Sequence, residues 1–328
     1  MTSTSVGPGS NDIEAPRVPA IYHPTLGVHD LEAARSWFSR VFELPTLRWE
    51  DTLDLAQLEP DYPVNYSFFM FIKDFHFVVL CPELHARGAL AGQSRYRGVP
   101  DGMIGIGWYT DDAVAMFDRL ARFGFPAHDQ RGRTIGADNP PVSSIAKDIL
   151  VGFTFPEQAG MRHEFEELGH RHHEFYSRRA DPRLRPGWTR PGVATDDPLR
   201  IVRSSHHTIV TTDLARALRL YVDASGGTVL AERLNRELAA TSTFVALGDS
   251  VVEFAVPDPG SPLLATVADG QDHYTEISLQ VADLDTVDTH LRSVGLTPQR
   301  LGDDVVTIEP GEAFGVRWRF IAELPYQA

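Results

Sequence analysis

Apolar and polar positions alternate along this chain in two rhythms that follow each other in a fixed order, and the order repeats. Near residue 20 and again near residue 205, a short run rich in β-branched and aromatic residues reads as a strand. It leads into Asp-Leu and then into apolar positions three and four apart, the mark of a helix with one buried face. The two stretches are YHPTLGVHDLEAARSWF and SHHTIVTTDLARALRLY. His23 stands seven residues before Asp30, as His206 stands seven before Asp213, and Ala34 with Phe38 matches Ala217 with Tyr221. Each aspartate sits where its carboxylate can cap the first turn of the helix.

The frame returns in mid-half without the histidine, as GIGWYTDDAVAMFDRLARFGF (Gly105 to Phe125) and EISLQVADLDTVDTHLRSVGL (Glu276 to Leu296). Asp112 and Asp283 are the caps, and Gly124 and Gly295 fall where a left-handed residue ends a helix. Shorter alternating runs follow. SFFMFIKDFHFVVLCP and STFVALGDSVVEFAVP align from Asp74 to Pro82 and from Asp249 to Pro257, and both read as hairpins. GMRHEF (Gly160 to Phe165) and GVRWRF (Gly315 to Phe320) close the second and fourth copies in matching frame. Repetition on this scale decides the architecture. The chain is predicted to be α+β, with four βαβββ modules, two per half, forming two curved mixed sheets.

Composition changes this picture only at the edges. Residues 1–17 are Ser/Thr/Gly/Pro-rich and read as a mobile tail, and 169–198 are rich in Arg, His and Pro without a period and read as a connector. This leaves an N-terminal domain at 18–168 and a C-terminal domain at 199–328. Hydrophobic residues at 42% and charged residues at 23% are ordinary for a globular chain. A net charge of -15 argues against nucleic acid, whose phosphates demand a basic surface. The single cysteine, Cys81, rules out an internal disulfide. With no long apolar run and no signal sequence, a cytoplasmic protein away from membranes is expected.

A His-bearing strand, Asp-Leu, an amphipathic helix and a closing strand of G-x-x-x-E type together resemble the vicinal oxygen chelate superfamily. Its members include glyoxalases, bleomycin-resistance proteins and extradiol dioxygenases. The resemblance covers nearly the whole folded chain and implies a glyoxalase/dioxygenase-type fold in which paired modules hold one divalent metal ion. The ligands are expected from the first and last strands of each module. Those first-strand positions are His23, Gly105, His206 and Glu276; the last-strand positions are Val78, Glu164, Glu253 and Arg319. The metal candidates are therefore His206, Glu253 and Glu276 in the C-terminal half and His23 and Glu164 in the N-terminal half. His76, two residues before Val78, would complete a two-His, one-carboxylate set there. Pairing of modules across the halves would instead bring Glu164 to His206 and Glu253.

Imidazole and carboxylate suit Fe, Mn, Zn, Ni or Co, and three such ligands leave room for two neighbouring substrate oxygens. The resemblance implies a metal-dependent enzyme acting on a small oxygen-rich organic substrate. An extradiol-type ring-cleavage dioxygenase, an oxidoreductase, is the leading reading. A glyoxalase-like lyase or isomerase and a metal-free binding protein are the alternatives. Four modules favour the first, whereas Glu276 and Arg319 stand where extradiol enzymes have His and Glu. At most a second copy of the chain, as a homodimer, is expected as a protein partner. Plainer readings stand beside each candidate. Arg319 can form a buried ion pair with Glu276, and His207 points away from the face of His206. The His170, His172, His173 group lies in an Arg-rich connector beside Arg178 and Arg179. Tyr274, His273, Trp108 and Tyr109 are pocket candidates by sequence neighbourhood alone.

Overall fold

The computed structural model describes residues 16–52, 61–88, 90–91, 97–140, 150–168 and 181–327. Each module begins with a long strand: β1 (Ile21–Gly27), β5 (Gly102–Thr110), β9 (Ile201–Val210) and β13 (His273–Val281). Three strands close each module after its helix. They are β2 (Leu47–Arg48), β3 (Ser67–Ile72) and β4 (Phe75–Leu80), then β6 (Ala127–His128), β7 (Val151–Thr154) and β8 (His163–Glu167). In the second half they are β10 (Thr228–Asn235), β11 (Ala240–Leu247) and β12 (Ser250–Pro257), then β14 (Gln299–Leu301), β15 (Val305–Ile308) and β16 (Arg317–Ile321). Two eight-stranded mixed sheets result, with orders β2-β3-β4-β1-β5-β8-β7-β6 and β10-β11-β12-β9-β13-β16-β15-β14. Modules pair within each half, through antiparallel β1–β5 and β9–β13. Pairing across halves, which would have joined Glu164 to His206 and Glu253, does not occur in these sheets.

The helices start where the aspartates predict. Asp30, Asp112, Asp213 and Asp283 each accept a backbone N–H from the first turn. Gly124 and Gly295 take positive φ at the ends of helices Ala113–Arg122 and Leu284–Ser293. The third helix departs from expectation. After Leu214–Leu218 it widens into a π-helical turn over Arg219–Ala224, whose last carbonyls accept hydrogen bonds from Arg119 of the second module.

One apolar core runs through both halves. Phe38, on helix Leu31–Phe42, packs against Phe68 and Phe77 of its own sheet and against Trp318 of the other. Tyr221 bridges in the opposite sense, touching Phe254 of its own sheet and Trp108 of the first. Such edge-to-face pairs add about 0.5–1.5 kcal/mol each beyond burial. The helices thus lie between the sheets, and the opposite sheet faces are left to form pockets. Among the described residues no helix is long and apolar enough to cross a membrane.

Polar clamps tie the halves together reciprocally. The Asp249 carboxylate accepts the Ile21 N–H, and the equivalent Asp74 accepts the Ser204 N–H, both at 2.8 Å. Each donating residue lies two positions before a first-strand histidine, His23 or His206. The closing-strand glycines make a second reciprocal pair. Gly160, at φ 87°, gives its carbonyl to the Asp272 N–H and packs on that side chain, while Gly315, at φ 78°, packs on the Asp101 carbonyl. The connector joins in through Arg183, which reaches Asp181, Asp249 and the carbonyls of Asp74 and Tyr22. Burial alone would raise the Asp181 carboxyl, but His76 and Arg183 outweigh it and hold Asp181 below its ordinary range.

Candidate functional site

The repeat frame read from the sequence is also a strand register. Thr25 faces Val78, Gly107 faces Glu164, Thr208 faces Glu253 and Ser278 faces Arg319 on parallel neighbours. The antiparallel centre adds His23 opposite Gly107 and His206 opposite Ser278. Directly opposed residues share a sheet face, so one row runs His23, Gly107, Glu164. His76 extends it, lying two residues before Val78 as His23 lies two before Thr25. The matching row of the second sheet runs His206, Ser278, Arg319, and the next runs Glu253, Thr208, Glu276, Arg317.

In the N-terminal sheet the row forms the floor of a cavity of about 70 Å³, room for an ion and several water-sized groups. His23, His76, Arg162, Glu164 and Glu166 are among its polar lining, with Tyr22, Tyr62, Tyr66 and Phe69 among its aromatic walls. Thr25 Oγ1 lies 3.0 Å from His23 Nδ1, which turns Nε2 towards Glu164 Oε2 at 3.9 Å. Gly107 between them places no side chain in the gap. His76 Nδ1 lies 3.9 Å from the fully buried Asp181 carboxylate, which in turn accepts the Tyr109 hydroxyl. A carboxylate behind one ring nitrogen is the usual support of a ligating histidine. Arg162 lies over the Phe153 ring and 3.5 Å from Glu164. The two imidazoles and the carboxylate that line this cavity fit a divalent ion in donor chemistry.

The C-terminal sheet brings its candidates together differently. His206 Nε2 lies 3.3 Å from Glu253 Oε2, and Ser205 Oγ holds His206 Nδ1 at 2.8 Å. Glu253 also accepts from Thr208, Asn235 and Ser242, so four donors occupy its two oxygens. Burial would raise its carboxyl, yet His206 and these hydroxyls hold it down at about 2. Glu276, expected as a third ligand, is engaged by guanidinium groups: Arg317 at 2.7 Å and Arg319 at 3.4 Å. Burial raises its carboxyl all the same, against the pull of Arg319 and Arg317. A cation at a ligand position and a carboxylate already neutralised do not fit a divalent ion. Of the expected set His206, Glu253, Glu276, the structure brings His206 and Glu253 together and holds Glu276 in an ion pair with Arg317 and Arg319. Among the described residues no group of three or more His, Cys, Asp or Glu is gathered tightly enough to define a metal site by position alone.

Several other candidates fall elsewhere. Tyr274 hydrogen-bonds His207 in the core, behind the sheet face that carries His206. Trp108 packs on Tyr221, Tyr109 stacks on Tyr22, and His273 is a surface partner of Asp269. The His170, His172, His173 group and Arg178–Arg179 lie outside the described residues. Arg162 and Asp181 escaped the sequence reading. Arg162 had a signal, since it matches Arg317 in the two closing motifs; Asp181 had none, because it reaches His76 from an aperiodic connector.

No protein-family model and no curated protein sequence matches the chain. Solved structures do resemble it across most of its length. A mutant of 4-hydroxymandelate synthase from Streptomyces coelicolor superposes with a TM-score of 0.56 at 14% identity, covering 93% of this chain and 92% of that one. A catechol 2,3-dioxygenase gives 0.53 at 14% identity, covering 95% and 91%. The Mn(II)-bound glyoxalase of Novosphingobium aromaticivorans gives 0.57 at 12% identity, covering 94% and 83%. These structures share the fold of this chain, the four-module glyoxalase/dioxygenase-type fold that the resemblance to the vicinal oxygen chelate superfamily implied.

Proposed function

We propose that the chain is a metal-dependent enzyme of this superfamily whose active site lies on the N-terminal sheet. His23, His76 and Glu164 hold one divalent ion, which when bound supplies Lewis-acid charge to two neighbouring oxygens of a small organic substrate. The observation that carries this reading is the cross-strand row His76, His23, Gly107, Glu164, in which a glycine leaves a gap between the His and Glu donors. Thr25 orients His23, and Asp181 stands behind His76. Arg162, braced on Phe153, offers an anionic substrate oxygen a counter-charge. The aromatic walls exclude bulk water from the reacting face, which strengthens each of these contacts. Extradiol-type ring cleavage is the leading reaction, because two imidazoles and one carboxylate are the donor set of non-haem iron oxygen chemistry. A glyoxalase-like lyase or isomerase reaction is the alternative.

Metal analysis of the purified protein tests the site. One ion per chain is expected, lost in His23→Ala and Glu164→Gln and kept in His206→Ala. Loss confined to His206→Ala would move the centre to the other half and overturn the assignment. For the reaction, the iron-loaded protein is offered a catechol panel with oxygen consumption recorded. Stoichiometric oxygen uptake supports ring cleavage. No uptake, with turnover of a dicarbonyl substrate under Mn, Ni or Co, selects the alternative.

A further inference from the structure

The second sheet carries a larger cavity, about 490 Å³, in the size range of small-molecule pockets. His206, Glu253 and Arg319 lie on its floor, and Leu234, Phe244 and Leu324 contribute apolar wall. Tyr326, near the chain's end, donates to the Ser205 carbonyl and packs against Phe244, so the C-terminal segment forms one side. Nothing in the proposed reaction uses this space.

Its chemistry centres on Arg319, whose side chain is 9% exposed. Nη1 is held from behind by the buried Glu276. Nη2 donates at 2.6 Å to Glu237, in the turn between β10 and β11, whose side chain is 33% exposed. Nε, on the same edge as Nη2, is buried and has no hydrogen-bond partner among the described residues. The Nε–Nη2 edge of a guanidinium matches a carboxylate with two parallel hydrogen bonds. Glu237 fills that edge with one contact from a partly exposed turn, and leaves the second donor unsatisfied at a cost.

We propose that this cavity binds a small carboxylate with an apolar or aromatic body, and that Glu237 stands in for the ligand's carboxylate until it arrives. The incoming carboxylate takes both Nε and Nη2 while Glu237 turns out to water. The charge around Arg319 is thereby unchanged and an orphaned donor is satisfied. The apolar body lies against Phe244, Leu234 and Leu324. Because the site holds its guanidinium where the other sheet holds Glu164, binding requires no metal.

Benzoate, with benzyl alcohol as the uncharged probe, tests this by titration calorimetry on metal-free protein. Benzoate binds and benzyl alcohol binds at least about tenfold more weakly, since the charge-assisted pair is lost. Glu237→Gln, a change in a partly exposed turn, removes the internal competitor and tightens benzoate several-fold. Arg319→Gln abolishes benzoate binding; Phe244→Ala, which leaves the Arg319–Glu276 pair intact, weakens it if Arg319→Gln fails to fold. His23→Ala and Glu164→Gln leave the affinity unchanged, which separates this site from the proposed metal centre. Equal binding of the two probes, or a Glu237→Gln affinity no better than that of the parent, would overturn the proposal.

Discussion

Mild acid should destabilise this protein at pH values where its surface carboxylates are still ionised. Two fully buried histidines, His163 and His207, are held at about 3 instead of the ordinary 6.5. Burial is the main cause in each. Nearby positive charge adds to it for His163, from Arg216. His163 is wedged against Tyr221, and His207 hydrogen-bonds Tyr274 while its Nε2 has no partner among the described residues. A proton on that nitrogen would be a buried donor with nothing to meet. The folded-state values lie below the unfolded one, so the unfolded chain binds protons that the folded chain refuses. Stability is full above pH 6.5 and falls as the pH drops towards 3, by about 1.4 kcal/mol per pH unit for each histidine. At pH 5 that comes to roughly 2 kcal/mol each and roughly 4 for the two, a sizeable share of the 5–15 kcal/mol typical of a folded chain. Glu253, held at about 2, adds its own loss only below pH 4.5, outside this window. Urea unfolding at half-unit steps from pH 7.5 to 5 would give a limiting slope near two protons, and near one in His163→Leu. A flat profile, or a slope that His163→Leu leaves unchanged, would refute the reasoning.

Two further outcomes follow from the geometry. Asp74→Ala should cost about 1–3 kcal/mol in urea unfolding, and more than Asp249→Ala, because Asp74 is buried and also holds Arg190 at 2.6 Å; equal, negligible losses would show that the clamps do not bind the halves. Glu276→Gln should leave the metal content intact while lowering the melting temperature, since Arg317 and Arg319 lose a buried counter-charge; loss of metal would return Glu276 to the ligand shell.

The fold was legible because duplication wrote it four times. Each copy carries the same Asp cap seven residues after the first-strand position, and the spacing survives where the chemistry does not, as at Gly105 and Glu276. A spacing fixes which strand a residue occupies and which way it points, and that is why the four last-strand positions fall in register. It says nothing of what the neighbours do with the charge. Glu276 and Glu164 read alike in sequence, yet Glu276 meets two guanidinium groups because Arg317 and Arg319 both project from β16 on the same face. The π-helical turn at Arg219–Ala224 was hidden for a similar reason. The group drawing on its carbonyls, Arg119, comes from a helix of another module.

The two sheets differ at three of the four paired positions, and the differences act in one direction. Where the second sheet has Glu253 and Glu276, the first has Val78 and Gly105; where the second has Arg319, the first has Glu164. The C-terminal carboxylates are each matched inside the protein, Glu253 by four donors and Glu276 by two arginines. A carboxylate neutralised in this way has little field left to attract a dication, and stripping its partners would cost more than binding returns. In the N-terminal sheet Glu164 and Glu166 share the pocket with Arg162, and Gly107, opposite both His23 and Glu164, carries no side chain. The proposed metal centre is therefore placed on the first sheet, away from the positive charge of Arg319 in the second. Duplication supplied two copies of one frame, and the proposal rests on the exchange of a carboxylate for a guanidinium at the last-strand register position that Glu164 and Arg319 share. Glu164 and Arg319 are the pair to exchange if the preference is to be reversed.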